Sequence, residues 1–349
     1  MKPVATAFGL AALLMVVALT AADAAEPAYV LSGKIAGVGG AWDYAIVDTS
    51  SSRLYLAQGG VTALDLGSGK LTTGLVKSKM THGLAALGDG SVAVDDAVSK
   101  TVTLFNGATG EVLATIDTTR DNPVKGAHAL DALVLEPKTG LLVAINGESG
   151  LLVLVDPKAR SVAGTLKIGG KPEYAAVDGT GRIYINVERG EAASIAVVDV
   201  PTRRVVGSIP LAGCDGPTGL AYDREADLVM SVCENGIAKF IRARDAKEVG
   251  SLQVGKGADA IMFDPTRRRA FVPGAEDGTL TVIAVRSASD ISVVQSLATQ
   301  KGTRLGAVDP ATGKVYLPAA QFGAPVPPSP YPSVVPGSFA ILVVAPDVK

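Results

Sequence analysis

The sequence predicts an all-β chain, a seven-bladed β-propeller of four-stranded antiparallel blades. Three observations predict it: a unit that recurs seven times, strands that alternate at period two, and Gly and Asp-Pro punctuation between them. Composition agrees. With 40 Gly, 20 Pro and only 5% aromatic residues in 349, the chain suits short strands and turns better than a helical bundle. At 48% hydrophobic and 19% charged it can bury a large core. A formal net charge of -2 gives no basic field, which argues against nucleic acid and anionic membrane surfaces as partners.

The first segment is read as a signal peptide over residues 1–24. Lys2 precedes an apolar run at residues 8–19 (FGLAALLMVVAL), and Ala22-Asp23-Ala24 supplies the small-x-small cleavage pattern. The run is shorter than the ~20 residues a spanning helix needs, and no Cys lies near the cleavage point to carry a lipid. A periplasmic, monomeric chain without a membrane anchor is expected, with residues 25–349 forming one propeller domain.

The seven units follow in order. Their anchors are YAIVDTSSSRLYLAQ from Tyr44, GLAALGDGSVAV from Gly83, ALVLEPKTGLLVAIN from Ala132 and YAAVDGTGRIYIN from Tyr174. GLAYDREADLVMSV from Gly219, AIMFDPTRRRAFVP from Ala260 and LGAVDPATGKVYLP from Leu305 complete the set. The mean spacing is roughly 46 residues, the size of a four-stranded blade. No sustained 3.6-residue apolar stripe with caps appears, so helical repeats of similar period are excluded. The last unit supplies three strands ending in FAILVVA at residues 339–345. AYVLSGKIAG at residues 28–37 is therefore expected to close that blade as its fourth strand.

The units resemble the YVTN-repeat propellers, in particular the YncE-like periplasmic family. The resemblance is carried by VLVDPKARSVAGTLKIGGKPEYAAVDGTGRIYINVE at residues 153–188, by VVDVPTRRVVGSIPLAGCDGPTGLAYD at residues 197–223, and by VYLPAAQFG followed by PGSFAILVV. The YVTN tetrapeptide itself is replaced by YLAQ, YINV, MSVC, FVPG and YLPA. The resemblance implies a propeller that binds a ligand or partner, with no motif that fixes which. Lactonases and redox-enzyme subunits share related folds, so a lactonase-like hydrolase or an accessory subunit or chaperone of a periplasmic redox system stand as alternatives.

Candidate binding residues come from position. In a propeller the residues leading into each innermost strand gather at one mouth of the central channel, where ligand sites form. Here these are Trp42-Asp43, His82-Gly83, Asp131, Pro172-Glu173, Pro217-Thr218, Asp259 and Arg304, with His128 in the loop before Asp131. The candidate set is thus Trp42, Asp43, His82, His128, Asp131, Glu173, Asp259 and Arg304. Carboxylates with imidazole suit a divalent cation or acid-base chemistry, but the same carboxylates commonly bind backbone amides and water, and no cofactor or resident metal is assigned. Trp42, the single tryptophan, serves either to stack on a ligand or to cap blade packing. Cys214 and Cys233, the only cysteines, are expected to form a structural disulfide, since pairing places Cys233 near Thr218; free thiols or a redox pair are the alternatives.

The insertion at residues 323–338 (GAPVPPSPYPSVVPGS), with six prolines, is expected as an extended polyproline-like loop at the same mouth, a lid or docking segment or simply a stiffened loop. On the opposite face, Arg203-Arg204 and Arg267-Arg268-Arg269 share the surface with Asp199, Asp223, Glu225, Asp227 and Asp264, and a solvated mixed surface is expected there, with a polyanion site as the alternative. CxxCH, GxSxG, P-loop and HExxH patterns are absent from the sequence.

Overall fold

A strand such as LLVAIN at Leu141–Asn146 is apolar at successive positions because both faces of its sheet are covered. The computed structural model describes residues 1, 28–119, 130–188, 193–326 and 332–347. Among these residues it contains seven four-stranded antiparallel sheets and one two-stranded sheet. Blade 1 is typical, running Ala45–Asp48, Arg53–Ala57, Gly60–Asp65 and Leu71–Lys77 from the inside outwards. Blades 2 to 6 span residues 84–117, 130–167, 172–210, 217–253 and 262–298. Apart from residue 1, the segment read as a signal peptide lies outside the described residues, and no helix among those described is long and apolar enough to cross a membrane.

Blade 7 closes the ring. Its inner strands come from the end of the chain, and Tyr29–Ala36 adds as the outermost strand, antiparallel to Ala340–Pro346. Tyr29, only 2% exposed, meets Phe271 of blade 6 edge-on at 4.9 Å.

The period-two alternation divides the core. Seven buried apolar clusters stand among the described residues, one at each seam between neighbouring blades. Blade 3 shows the rule: Leu142 and Ala144 face blade 2, while Val143 and Ile145 face blade 4. A one-residue slip would exchange the two sets, so register is specified on both sides.

The Asp or Glu that ends most inner strands has a local task. Asp48, Glu136, Asp178, Asp223, Asp264 and Asp309 accept backbone N–H bonds from residues two to four positions ahead, fixing the turn to the second strand. In blade 5, Pro217 pairs with Cys233, and the Cys214–Cys233 disulfide forms with Cα atoms 5.4 Å apart. Closing this loop stabilises by about 3 kcal/mol through the unfolded chain.

Two expectations change. Phe322–Pro325 pairs with Pro332–Val334, so the Pro-rich insertion is rooted in a hairpin rather than an extended arm. A hairpin forms because Phe322 packs on Trp42 at 5.8 Å and the Ser333 hydroxyl donates to the Ala324 carbonyl. The arginine-rich face is not simply solvated either, since Asp223 and Asp264 are 1% and 0% exposed and hold Arg268 and Arg267 in ion pairs.

Candidate functional site

Local backbone features fix where the lead-in residues stand. In blade 3 the ladder between the first two strands shifts between Leu130 and Ala132, leaving Asp131 in a bulge. A bulge re-aims a side chain, and the same irregularity recurs between Pro172 and Ala175, around Glu173 and Tyr174. Asp43 is tied to the second strand of blade 1 by its N–H to the Ala57 carbonyl at 2.9 Å. His82 is held by the buried Asp95, whose two oxygens accept the N–H groups of His82 and Gly83 at 2.8 and 2.9 Å. Gly83 is required there. A Cβ would come within 2.3 Å of the Leu133 nitrogen, so only glycine lets blade 2 approach blade 3 this closely.

These features bring Asp43, His82 and Asp131 together from three successive blades. His82 Nδ1 lies 2.5 Å from Asp43 Oδ2 and 3.9 Å from Asp131 Oδ1. Further round the rim, Arg304 pairs with Asp259 at 3.4 Å, and Lys171 pairs with Glu173 and, at 2.5 Å, with Glu188. The Asp259 N–H also donates to the Arg304 carbonyl, tying blade 6 to blade 7. His128 lies outside the described residues. Trp42, next to Asp43 in the chain, turns its indole into the seam between blades 7 and 1. Its indole packs on Phe339 at 5.1 Å and on Phe322, with its Nε1 buried and without a hydrogen-bond partner.

The charge balance is acidic and crowded. Burial pushes Asp259 up to about 6, against the pull of Arg304. Burial likewise raises Glu173 to about 8 and Asp95 to about 7, and lifts Asp131 above its ordinary value although His82 draws it down. Burial opposes charge on His82, but the bond to Asp43 more than offsets it and holds the imidazole up to about 9. The rim therefore tends to retain protons.

Sequence reasoning did not single out Tyr44 and Tyr174. Their rings stand 4.6 Å apart, and burial, with Asp259, Asp43, Asp131 and Glu173 around it, raises the Tyr44 hydroxyl well above its ordinary value. Tyr174 lines a cavity of about 350 Å³ between the inner strands of blades 2 to 5, with Leu84, Leu133, Leu135, Leu220 and Tyr222. Both tyrosines stand beside lead-in carboxylates, a signal readable in YAIVD and YAAVD. Lys171 and Glu188 were missed because their partnership crosses strands.

The fold is that of a seven-bladed propeller, and the lead-in residues of its blades gather charge. No protein-family model matches the chain, and no curated protein matches its sequence. Solved structures match the fold. A structure of Kuenenia stuttgartiensis hydrazine synthase is 13% identical with a TM-score of 0.67, covering 81% of this chain and 92% of that one. A chain of a mitotic checkpoint complex is 13% identical with a TM-score of 0.65, covering 91% and 96%. At such identity the likeness is one of architecture.

Proposed function

We propose that this chain is an exported, YncE-like propeller acting as a non-catalytic binding scaffold, and that its channel mouth takes a positively charged ligand. One observation carries the reading: the lead-in residues of blades 1, 3, 4 and 6 bring Asp43, Asp131, Glu173 and Asp259 close enough to act together on Tyr44, and burial raises three of those acids. A ligand cation relieves that crowding and gains from the low dielectric of the mouth. The signal-like segment and the disulfide support export to an oxidising compartment. The ligand class is the part that no family motif supplies.

Trp42, the single tryptophan, precedes Asp43 and reports on the mouth by its fluorescence. Titration with an alkyl diamine, a guanidinium salt and a divalent metal ion is expected to shift its emission, whereas matched carboxylates do not. Asp131→Asn combined with Glu173→Gln is expected to weaken the cation response at least tenfold. An equal response to anions, or none to any cation, refutes the reading.

A second reading, a hydrolase, draws on the Asp43-His82 contact, which orients an imidazole as a general base requires. Turnover of a lactone panel that is lost in Asp43→Asn would favour it over the scaffold.

A further inference from the structure

We propose that Asp43, His82 and Asp131 form a binding site for one divalent transition-metal ion of the Zn²⁺ or Mn²⁺ class, with one ligand from each of three successive blades. The inference rests on the cationic reading of the channel mouth and names its ligand.

Donor geometry is the first support. One oxygen from each carboxylate and one imidazole nitrogen all lie within 4.8 Å of one another. A tetrahedral ion with bonds of ~2.1 Å sets its ligand atoms roughly 3.4 Å apart. The separations of 2.5 Å and 3.9 Å bracket that value, so side-chain shifts of roughly 1 Å bring the three donors to bonding distance of one ion. On binding, the proton shared between His82 and Asp43 leaves to solvent, and the freed nitrogen turns to the ion.

Pairing around the rim is the second. Among the described residues Glu173 has Lys171 and Asp259 has Arg304, each in direct contact. Among the described residues neither Asp43 nor Asp131 is in an ion pair with a Lys or Arg, and the His82 imidazole stands between them. Two carboxylates and one neutral imidazole carry two negative charges, the complement of a dication.

The third is how firmly the backbones are held. His82 sits on the Asp95 carboxylate, Asp43 is bonded to Ala57, and Asp131 is fixed in its bulge. Three ligands on three rigid sheets leave coordination positions open towards the channel, as sites that exchange ligands require. One nitrogen with two oxygens suits Zn²⁺ or Mn²⁺, whereas Ca²⁺ takes six to eight oxygens.

The test uses the full chain, purified without metal-affinity chromatography, treated with chelator and dialysed. Calorimetric titration with Zn²⁺, and separately with Mn²⁺, is expected to show one ion per chain. Asp131→Asn and His82→Ala are each expected to weaken the tighter ion at least tenfold, with thermal melts of the metal-free variants confirming the fold. Asp131→Asn, nearly isosteric, carries the test if His82→Ala does not fold. Absence of saturable uptake up to millimolar metal, or uptake unchanged in a folded variant, overturns the proposal. If both metals fail while the diamine or guanidinium still shifts Trp42 emission, the metal site is lost and the cationic mouth stands. If every cation fails, both are lost.

Discussion

Arg268 joins two blades with a single side chain. Its two terminal nitrogens donate to the two oxygens of Asp223 at 2.7 and 2.5 Å, and its Nε donates to the Val285 carbonyl. The guanidinium lies over the Phe263 ring at 5.4 Å. Asp223 is 1% exposed, so removing the arginine strands a buried carboxylate. Arg268→Ala is expected to cost about 3 kcal/mol in urea unfolding. Arg268→Lys should recover less than half of that, because a point charge cannot bond both oxygens and stack. A loss under about 1 kcal/mol would class the pair with ordinary surface bridges. The sequence places Arg268 and Asp223 on one face, since both sit in turns of the same phase, but burial at a seam depends on how closely blades 5 and 6 meet. The mouth follows the same logic. The phase of the repeat identifies Asp43, His82, Asp131, Glu173, Asp259 and Arg304 as lead-in residues. It does not reveal that the first three converge, because that contact depends on the bulge at Asp131 and on the close approach at Gly83.

Strand Tyr29–Ala36 is an element whose value lies in where it docks. Most of its side chains are exposed, and Tyr29 is its buried anchor. Gln295 of blade 6 seals that anchor, its side chain accepting from the Tyr29 N–H and donating to the Tyr29 carbonyl. Deleting residues 28–36 opens the Ala340–Pro346 edge and empties the Tyr29 site. Loss of a buried aromatic side chain alone costs about 3 kcal/mol, and the lost ladder adds to it. The truncated chain is expected to melt at lower temperature in calorimetry and to self-associate through its free edge in size-exclusion chromatography. An unchanged melting temperature with a monomeric profile would mean that the ring does not depend on this closure. The closing strand is legible in the sequence because the last unit lacks one strand and a β-like segment stands unassigned before the first. The insertion at residues 323–338 is less legible. Its prolines suggest an extended arm, whereas the Phe322 contact with Trp42 that roots the hairpin joins residues 280 positions apart and leaves no local mark.

Across the whole molecule, six of the seven blades bring a charged or titratable lead-in residue into one neighbourhood, so their electrostatic cost is shared by the fold. Asp259 and Glu173 are raised by burial to about 6 and about 8, from 3.8 and 4.5. The folded state thus holds protons that the unfolded chain releases near pH 4. Stability from these groups is present below that pH and is lost as pH rises through 6 and 8. Carboxylates in the turns act oppositely. Burial works against Asp48, but Ser50 and Ser51 bond its oxygens and hold it below its ordinary value, so its contribution disappears only as pH falls below about 4. Between these limits the protein is expected to be most stable near pH 5, with a melting temperature that declines towards pH 8 in chelator-containing buffer. Asp259→Asn removes one acid whose ionisation burial resists, and the amide can still face Arg304, itself 47% exposed and able to keep water. The variant should therefore show a smaller decline between pH 5 and pH 8 than the parent. A parent whose melting temperature is flat or rising over that interval, or a variant that keeps the full slope, would show that the mouth carboxylates ionise freely and that the rim is not the crowded acidic ring its geometry implies.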